Sequence, residues 1–176
     1  MIIANQCPDQ NTLSRLRNGP NVGLSNNGPI PWPNVVVHAS YKRLQKTIPE
    51  SAFSIFTLNS PGEVELTVGG HRRRVCGQSL AVINPYESLD YNLNAPSQLD
   101  ILNIHLDFNT YRQLIDSLMR TENQLLNDPT EYTEGDPFLN QLYFYKNVLR
   151  KKLMLYAQLS HEEYMLEVLE ELTHLR

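Results

Sequence analysis

Between Glu63 and Val68 the chain alternates. Val64, Leu66 and Val68 fall on one side of an extended backbone, and Glu63, Glu65 and Thr67 on the other. A period of two is that of a half-buried strand. Gly69-Gly70 follows. Two glycines supply the positive φ angles of a tight hairpin, so the chain is expected to return through Arg72–Val75. Further β-rich runs lie on both sides: Asn34–Tyr41, Ala52–Leu58, Leu80–Ile83 up to the Asn84-Pro85 turn, Ser88–Leu93 and Leu99–Leu106. Seven or so short strands separated by turn residues predict an antiparallel barrel or sandwich.

After Asp107 the period changes. Asn109 is a plausible N-cap, followed by one apolar stripe of Tyr111, Leu114, Ile115, Leu118 and Met119. Beyond a polar loop, Asp136 with Pro137 predicts the start of a second helix, whose stripe is Phe138, Leu142, Tyr145, Leu149, Leu153 and Tyr156. Ser160-His161-Glu162-Glu163 reads as a capping box for a third, with Met165, Leu166, Val168, Leu169, Leu172 and Leu175. Residues 1–33 carry Asn18-Gly19-Pro20 and Asn26-Asn27-Gly28-Pro29, which punctuate rather than propagate structure. They predict an arm with one short helix near Thr12–Arg17. The organisation is therefore an arm (1–33), a barrel (34–107) and a helical segment (108–176).

Composition narrows the function. Of 176 residues 41% are hydrophobic and 19% charged, which suits one folded domain. The net charge of −4 argues against a nucleic-acid binder, since phosphate contacts need a basic surface. A helix-turn-helix made of the last two helices fails for the same reason: Glu162, Glu163, Glu167, Glu170 and Glu171 would face phosphate. The one basic run, His71-Arg72-Arg73-Arg74, reads as a solvated hairpin tip. Cys7 and Cys76 are too few for a disulfide framework. Cys76 follows the basic run but has no histidine partner at a recognisable spacing, and reads as structural. No run of some 18 apolar residues predicts a membrane span, and no secretory signal opens the chain. A cytoplasmic location is expected.

Two segments, taken in order, bring a family into view. They are Gly-Glu-Val-Glu-Leu-Thr-Val-Gly-Gly from Gly62 to Gly70 and Gly-Gln-Ser-Leu-Ala-Val-Ile-Asn-Pro from Gly77 to Pro85. With the three trailing helices, they resemble the cupin barrel of AraC-type transcription regulators. The likeness runs from about Val35 to Arg176 and rests on glycine spacings and apolar alternation. It implies a cupin-like antiparallel barrel (double-stranded β-helix or jelly roll) that senses a small molecule, with a helical pair that dimerises. In that family a linker then leads to a domain with two helix-turn-helix units. The chain stops at Arg176 within a helical pattern, so it is expected to be the sensing half of something larger. DNA would be reached only through the missing half.

Many cupins are metalloenzymes, holding Fe, Mn or Zn with a His-x-His pair, a Glu and a further His. Here there is no His-x-His, and Leu89 stands four residues after Pro85, where a cupin histidine often falls. His71 is at the hairpin, His161 and His174 are on the last helix, and only His38 and His105 lie in predicted strands. No metal and no other cofactor is expected. No Gly-x-Ser-x-Gly, phosphate loop or dinucleotide fingerprint appears either, so the expectation is not an enzyme.

A barrel of this size can enclose one small ligand lined by alternate residues of each strand. On Leu99–Leu106 one face holds Leu99, Ile101, Asn103 and His105, the other Asp100, Leu102, Ile104 and Leu106. If Asn103 and His105 point inward, they offer hydrogen bonds to a polar ligand; if outward, they are surface or helix-contacting residues. Tyr91 resembles a family position that faces the sugar in sugar-sensing members. With Tyr41 and Trp32 it would supply a stacking surface for a sugar or an aromatic acid. The competing reading is a packed barrel with satisfied tyrosines, and Trp32 simply anchoring the arm. The third helix carries a wide apolar band, so Leu166, Leu169 and Leu172 are expected at a homodimer interface, with burial inside the chain as the alternative. The runner-up function is a stand-alone cupin: a metal-free sugar isomerase using His105 with a carboxylate, or a carbohydrate-binding protein.

Overall fold

The computed structural model describes residues 2–4, 34–48, 51–120, 142–144, 147–159 and 161–174. The elements are β1 (Ile2–Ala4), β2 (Val35–Ile48), β3 (Phe53–Leu58), β4 (Glu63–Val68), β5 (His71–Cys76), β6 (Ser79–Ile83) and β7 (Leu89–Leu106). They are followed by α1 (Phe108–Met119), β8 (Leu142–Phe144), α2 (Asn147–Leu159) and α3 (Glu162–His174). The architecture is a nearly closed, mostly antiparallel, cupin-like barrel with C-terminal helices.

A long ribbon organises it. β2 and β7 pair antiparallel from Val35↔His105 to Ile48↔Leu89. On its other edge β7 serves two neighbours: Ile101–Leu106 pairs with β3, while Leu89–Asn92 pairs with β4. β3 continues to β6 and β8, and β4 to β5, so the ribbon is common to both halves of the barrel. Gly69 and Gly70 both have positive φ, 54° and 80°, and close the β4–β5 hairpin as a two-residue turn.

Three expectations are corrected. The runs Ser88–Leu93 and Leu99–Leu106 are one strand, because the ladder absorbs the stretch between them as an irregularity. Tyr41 pairs with Leu99 and Arg43 with Asn94, so the residues around Pro96 loop out of register. Proline has no N–H to give a ladder and is tolerated at such a place. The second helix is not continuous across its expected stripe: Leu142–Phe144 is a strand on β6 and a helix runs over Asn147–Leu159, while Asp136, Pro137, Phe138 and Tyr145 lie outside the described residues. The open edge at Ser79–Ala81 offers backbone partners that a helical stripe cannot announce. Lastly, α1 is capped by Asp107 rather than Asn109: its carboxylate accepts from the backbone N–H of Asn109 and Thr110 at 3.0 and 3.1 Å. In the arm, Ile2–Ala4 pairs parallel with Val35–Val37. The helix expected at Thr12–Arg17, Trp32 and Ser160 lie outside the described residues.

Two apolar clusters result. One fills the barrel, with Val35, Val37, Phe56, Leu58, Leu66, Ile83, Leu89, Tyr91, Leu99 and Ile101 among its members. The other lies between the outer face of the sheet and the helices. It joins Val36, Phe53, Ile55, Leu102, Ile104 and Leu106 to Tyr111, Ile115, Leu153, Tyr156, Met165, Val168, Leu169 and Leu172. Phe53 stacks on Tyr111 with ring centroids 4.3 Å apart.

Candidate functional site

The inward positions of β7 are its odd-numbered residues, because Leu89, Tyr91, Leu93, Leu99 and Ile101 belong to the inner cluster while Leu102, Ile104 and Leu106 belong to the outer one. Asn103 and His105 share that parity and are 2% and 3% exposed. The structure therefore decides the open question: both are inside. Tyr91, on the same strand and face, meets Asn103, its hydroxyl accepting a hydrogen bond from Asn103 Nδ2. Phe56 lies against the Tyr91 ring at 5.7 Å between centroids. Tyr41 is half-buried at the edge of the same cluster, opposite Leu99.

His105 is held from β3. Its Nδ1 lies 2.6 Å from Ser54 Oγ, which itself donates to the Ala52 carbonyl at 2.9 Å and lies 3.1 Å from Ser51 Oγ. With the serine proton given to Ala52, the geometry fits a neutral imidazole carrying its proton on Nδ1. Burial pushes the His105 pKa down to about 4, helped by the positive charge of Lys46. Asn103 is less well served: its Oδ1 is buried with no hydrogen-bond partner among the described residues. A buried carbonyl left unpaired costs about 1–3 kcal/mol, and Asn103 shares that condition with the Tyr143 hydroxyl in the helix-facing cluster.

Lys46 was not legible as a site residue. The irregularity between Tyr41 and Arg43 changes the inward parity of β2 from odd (Val35, Val37, Ala39, Tyr41) to even (Leu44, Lys46, Ile48). Lys46 is thereby placed opposite Tyr91. The row continues through Leu66 on β4 to Arg73 on β5. Lys46 and Arg73 are both half-buried, and they end a four-strand row with Tyr91 and Leu66 between them. Within the basic run Arg73 shares this face with His71, which pairs with Val68 and is exposed at the hairpin. Arg72 and Arg74 stand on the outer face with Glu65 and Glu63, at 3.9 and 3.8 Å. No inward strand position among the described residues carries a carboxylate.

The other candidates lie elsewhere. His38 is outside, exposed, 3.1 Å from Asp100. Leu89 is buried on the inner face. Cys76 is half-exposed; its thiol pKa is lowered chiefly by the hydrogen bond with Ser79, 3.5 Å away. Among the described residues no group of three or more His, Cys, Asp or Glu side chains is placed to hold a metal, and no helix is long and apolar enough to cross a membrane. Leu169 and Leu172 are fully buried in the helix-facing cluster, so the surface expected to meet a partner is used within the chain. Leu166 alone of the three keeps part of its surface.

No protein-family profile matches the chain, and no curated protein sequence does. Solved structures of ToxT from Vibrio cholerae are similar to it. An apo variant from strain SCE256 gives a TM-score of 0.47 at 12% identity, covering 78% of this chain and 54% of that one. ToxT from O395 bound to (E)-4-(8-methylnaphthalen-1-yl)but-3-enoic acid gives 0.45 at 12% identity, with the same coverage. The unsaturated-fatty-acid-bound wild type gives 0.41 at 11%, covering 84% of this chain and 53% of that one. The match spans about half the length of those chains, and at such scores no residue role carries over.

Proposed function

We propose that this chain is the small-molecule-sensing and dimerisation region of an AraC-type transcriptional regulator, the effector entering the barrel and altering the geometry of arm and dimer. The observation that carries the reading is the buried Tyr91–Asn103 hydrogen bond, on the same inner face as buried His105, with Asn103 Oδ1 lacking a partner among the described residues. A ligand donor at that oxygen would repay a cost that the fold alone leaves standing. Such a ligand acts on the regulator only by binding one arrangement more tightly than the other.

The homodimer belongs to the same proposal, with a different surface. α2 exposes Val148, Leu155 and Leu159, and these join Leu166 as the apolar residues the helical pair leaves uncovered. DNA is not expected to bind this chain, whose α3 carries five carboxylates. The metal-free isomerase is disfavoured because His105, neutral and held by Ser54, has no carboxylate beside it on the described inward positions.

The test is a thermal-shift screen of sugars and aromatic acids on the purified chain, repeated on Asn103→Leu. A stabilising ligand whose shift disappears in the variant is the expected result. Stoichiometric copurified metal together with turnover of a candidate substrate would sink the reading.

A further inference from the structure

We infer that the chain carries a binding site outside the barrel interior, for a neutral polyhydroxylated ligand of saccharide type. The site is the cleft that opens in the barrel wall between β4 and the irregular stretch of β7. It does not depend on the sensing reading above.

The topology opens the cleft. β7 pairs with β4 as far as Asn92 and with β3 only from Ile101, so on that edge the residues between them have no strand partner among the described residues. The β3–β4 connection spans the gap, which encloses a cavity of about 440 Å³, ample for a small molecule. Its floor is fixed. The Asn59 N–H donates to the Asp100 carbonyl and the Asp100 N–H to Ser60 Oγ, both at 2.8 Å, which pins the connection to β7. Gly62 follows with φ 139° against Leu99, where a Cβ would lie 2.4 Å from Leu99 Cδ2; glycine suits both the backbone angle and the close approach. A cleft formed before its ligand arrives costs less to fill.

The lining chooses the ligand. Glu65 pairs with Asn92 on β7 and with Arg74 on β5, so the three make one outward row, and Glu63 and Asn94 stand two residues along on the same faces. The two carboxamides both donate and accept, the two carboxylates accept, and the guanidinium donates. Charge is balanced: Glu63 lies 3.8 Å from Arg74, and Glu65 3.9 Å from Arg72. Exposed pairs at such distances are loose and leave carboxylate lone pairs open to a ligand. A balanced surface gives a charged ligand little advantage. Hydroxyl groups, which donate and accept, find a partner at each of these side chains. Leu99 and Pro61 offer the C–H face of a ring an apolar base.

The experiment is NMR titration of the isotope-labelled whole chain with glucose, maltose and cellobiose, set against glucose 6-phosphate and glucosamine, which add a negative and a positive charge. At millimolar concentration at least one neutral sugar is expected to shift the Gly62 amide and the Asn92 and Asn94 carboxamide resonances. Asn92→Ala and Asn94→Ala, both exposed positions, are each expected to weaken that binding about tenfold, the loss of a hydrogen bond or two. Cleft resonances that no neutral sugar moves would overturn the inference. So would affinity unchanged in both variants, or tighter binding of either charged sugar than of glucose. Shifts centred on Asn103 and His105 instead would put the sugar inside the barrel, which overturns the cleft site and supports the sensing reading. If no sugar moves any resonance, the cleft site falls, while the sensing reading still answers to the aromatic acids of its own screen.

Discussion

Strand β7 serves two cores of different kinds. Toward the helices Leu102, Ile104 and Leu106 enter a cluster of aliphatic and aromatic side chains, where buried Thr57 donates to the Ser79 carbonyl. Toward the barrel interior the alternate residues are Tyr91, Leu99, Ile101, Asn103 and His105, and the last two bring an amide and an imidazole into a space as buried as the first. Dry polar groups cost desolvation, whereas packing alone would favour leucine at both positions. The contrast teaches where stability and where recognition reside: one face of a single strand holds helices to the sheet, the other gives up stability for chemistry.

The largest expected effect lies on the helix-facing side. Leu169→Ala opens a cavity among α3, α2 and the sheet, and a loss of about 2–5 kcal/mol in urea-induced unfolding is expected. A loss below about 1 kcal/mol would mean that α3 is not clamped as described and would blur the contrast.

Next comes pH, which acts on the barrel side. His105 takes up a proton near 6.5 when unfolded and only near 4 when folded. Between those values the unfolded chain binds more protons, so stability is complete above pH 6.5 and falls as the pH drops toward 4. The total loss is about 3 kcal/mol. In His105→Gln that part of the slope is expected to vanish. A variant that keeps the wild-type slope in this window would assign it to other groups.

A smaller effect is expected at the junction of the two regions. Asp107 caps α1, and its backbone N–H donates to Asn34 Oδ1 at 2.8 Å, tying the end of β7 to the start of β2. Asp107→Ala is expected to cost about 1–2 kcal/mol in thermal or urea unfolding.

The smallest is the most diagnostic. Asn103→Leu removes an unpaired buried oxygen and also the donor to Tyr91, so the change in stability is expected to stay within about 1 kcal/mol of zero. A loss as large as that of Leu169→Ala would place Asn103 among the structural residues and erase the distinction between the cores.

Local periodicity determined much of this molecule. The alternation over Glu63–Val68, the glycine hairpin and the apolar stripes of α1 and α3 are each written within a dozen residues, because strand and helix faces repeat every two and about 3.6 positions. The family resemblance singled out Tyr91, and the sequence itself marked Asn103 and His105 as odd among their aliphatic neighbours. It left open which side they face, since alternation defines two faces and does not say which is covered by what. Tertiary structure decided that, as it decided the rest. β1 and β8 exist only because distant edges, at Val35–Val37 and Ser79–Ala81, offer backbone partners. Leu169 and Leu172 are core because α2 and the sheet reach them. Lys46 and Arg73 share a row because one irregularity near Tyr41 reverses the faces of β2, and because pairing across four strands joins residues far apart in the chain. Such contacts depend on register between segments, which no local pattern encodes.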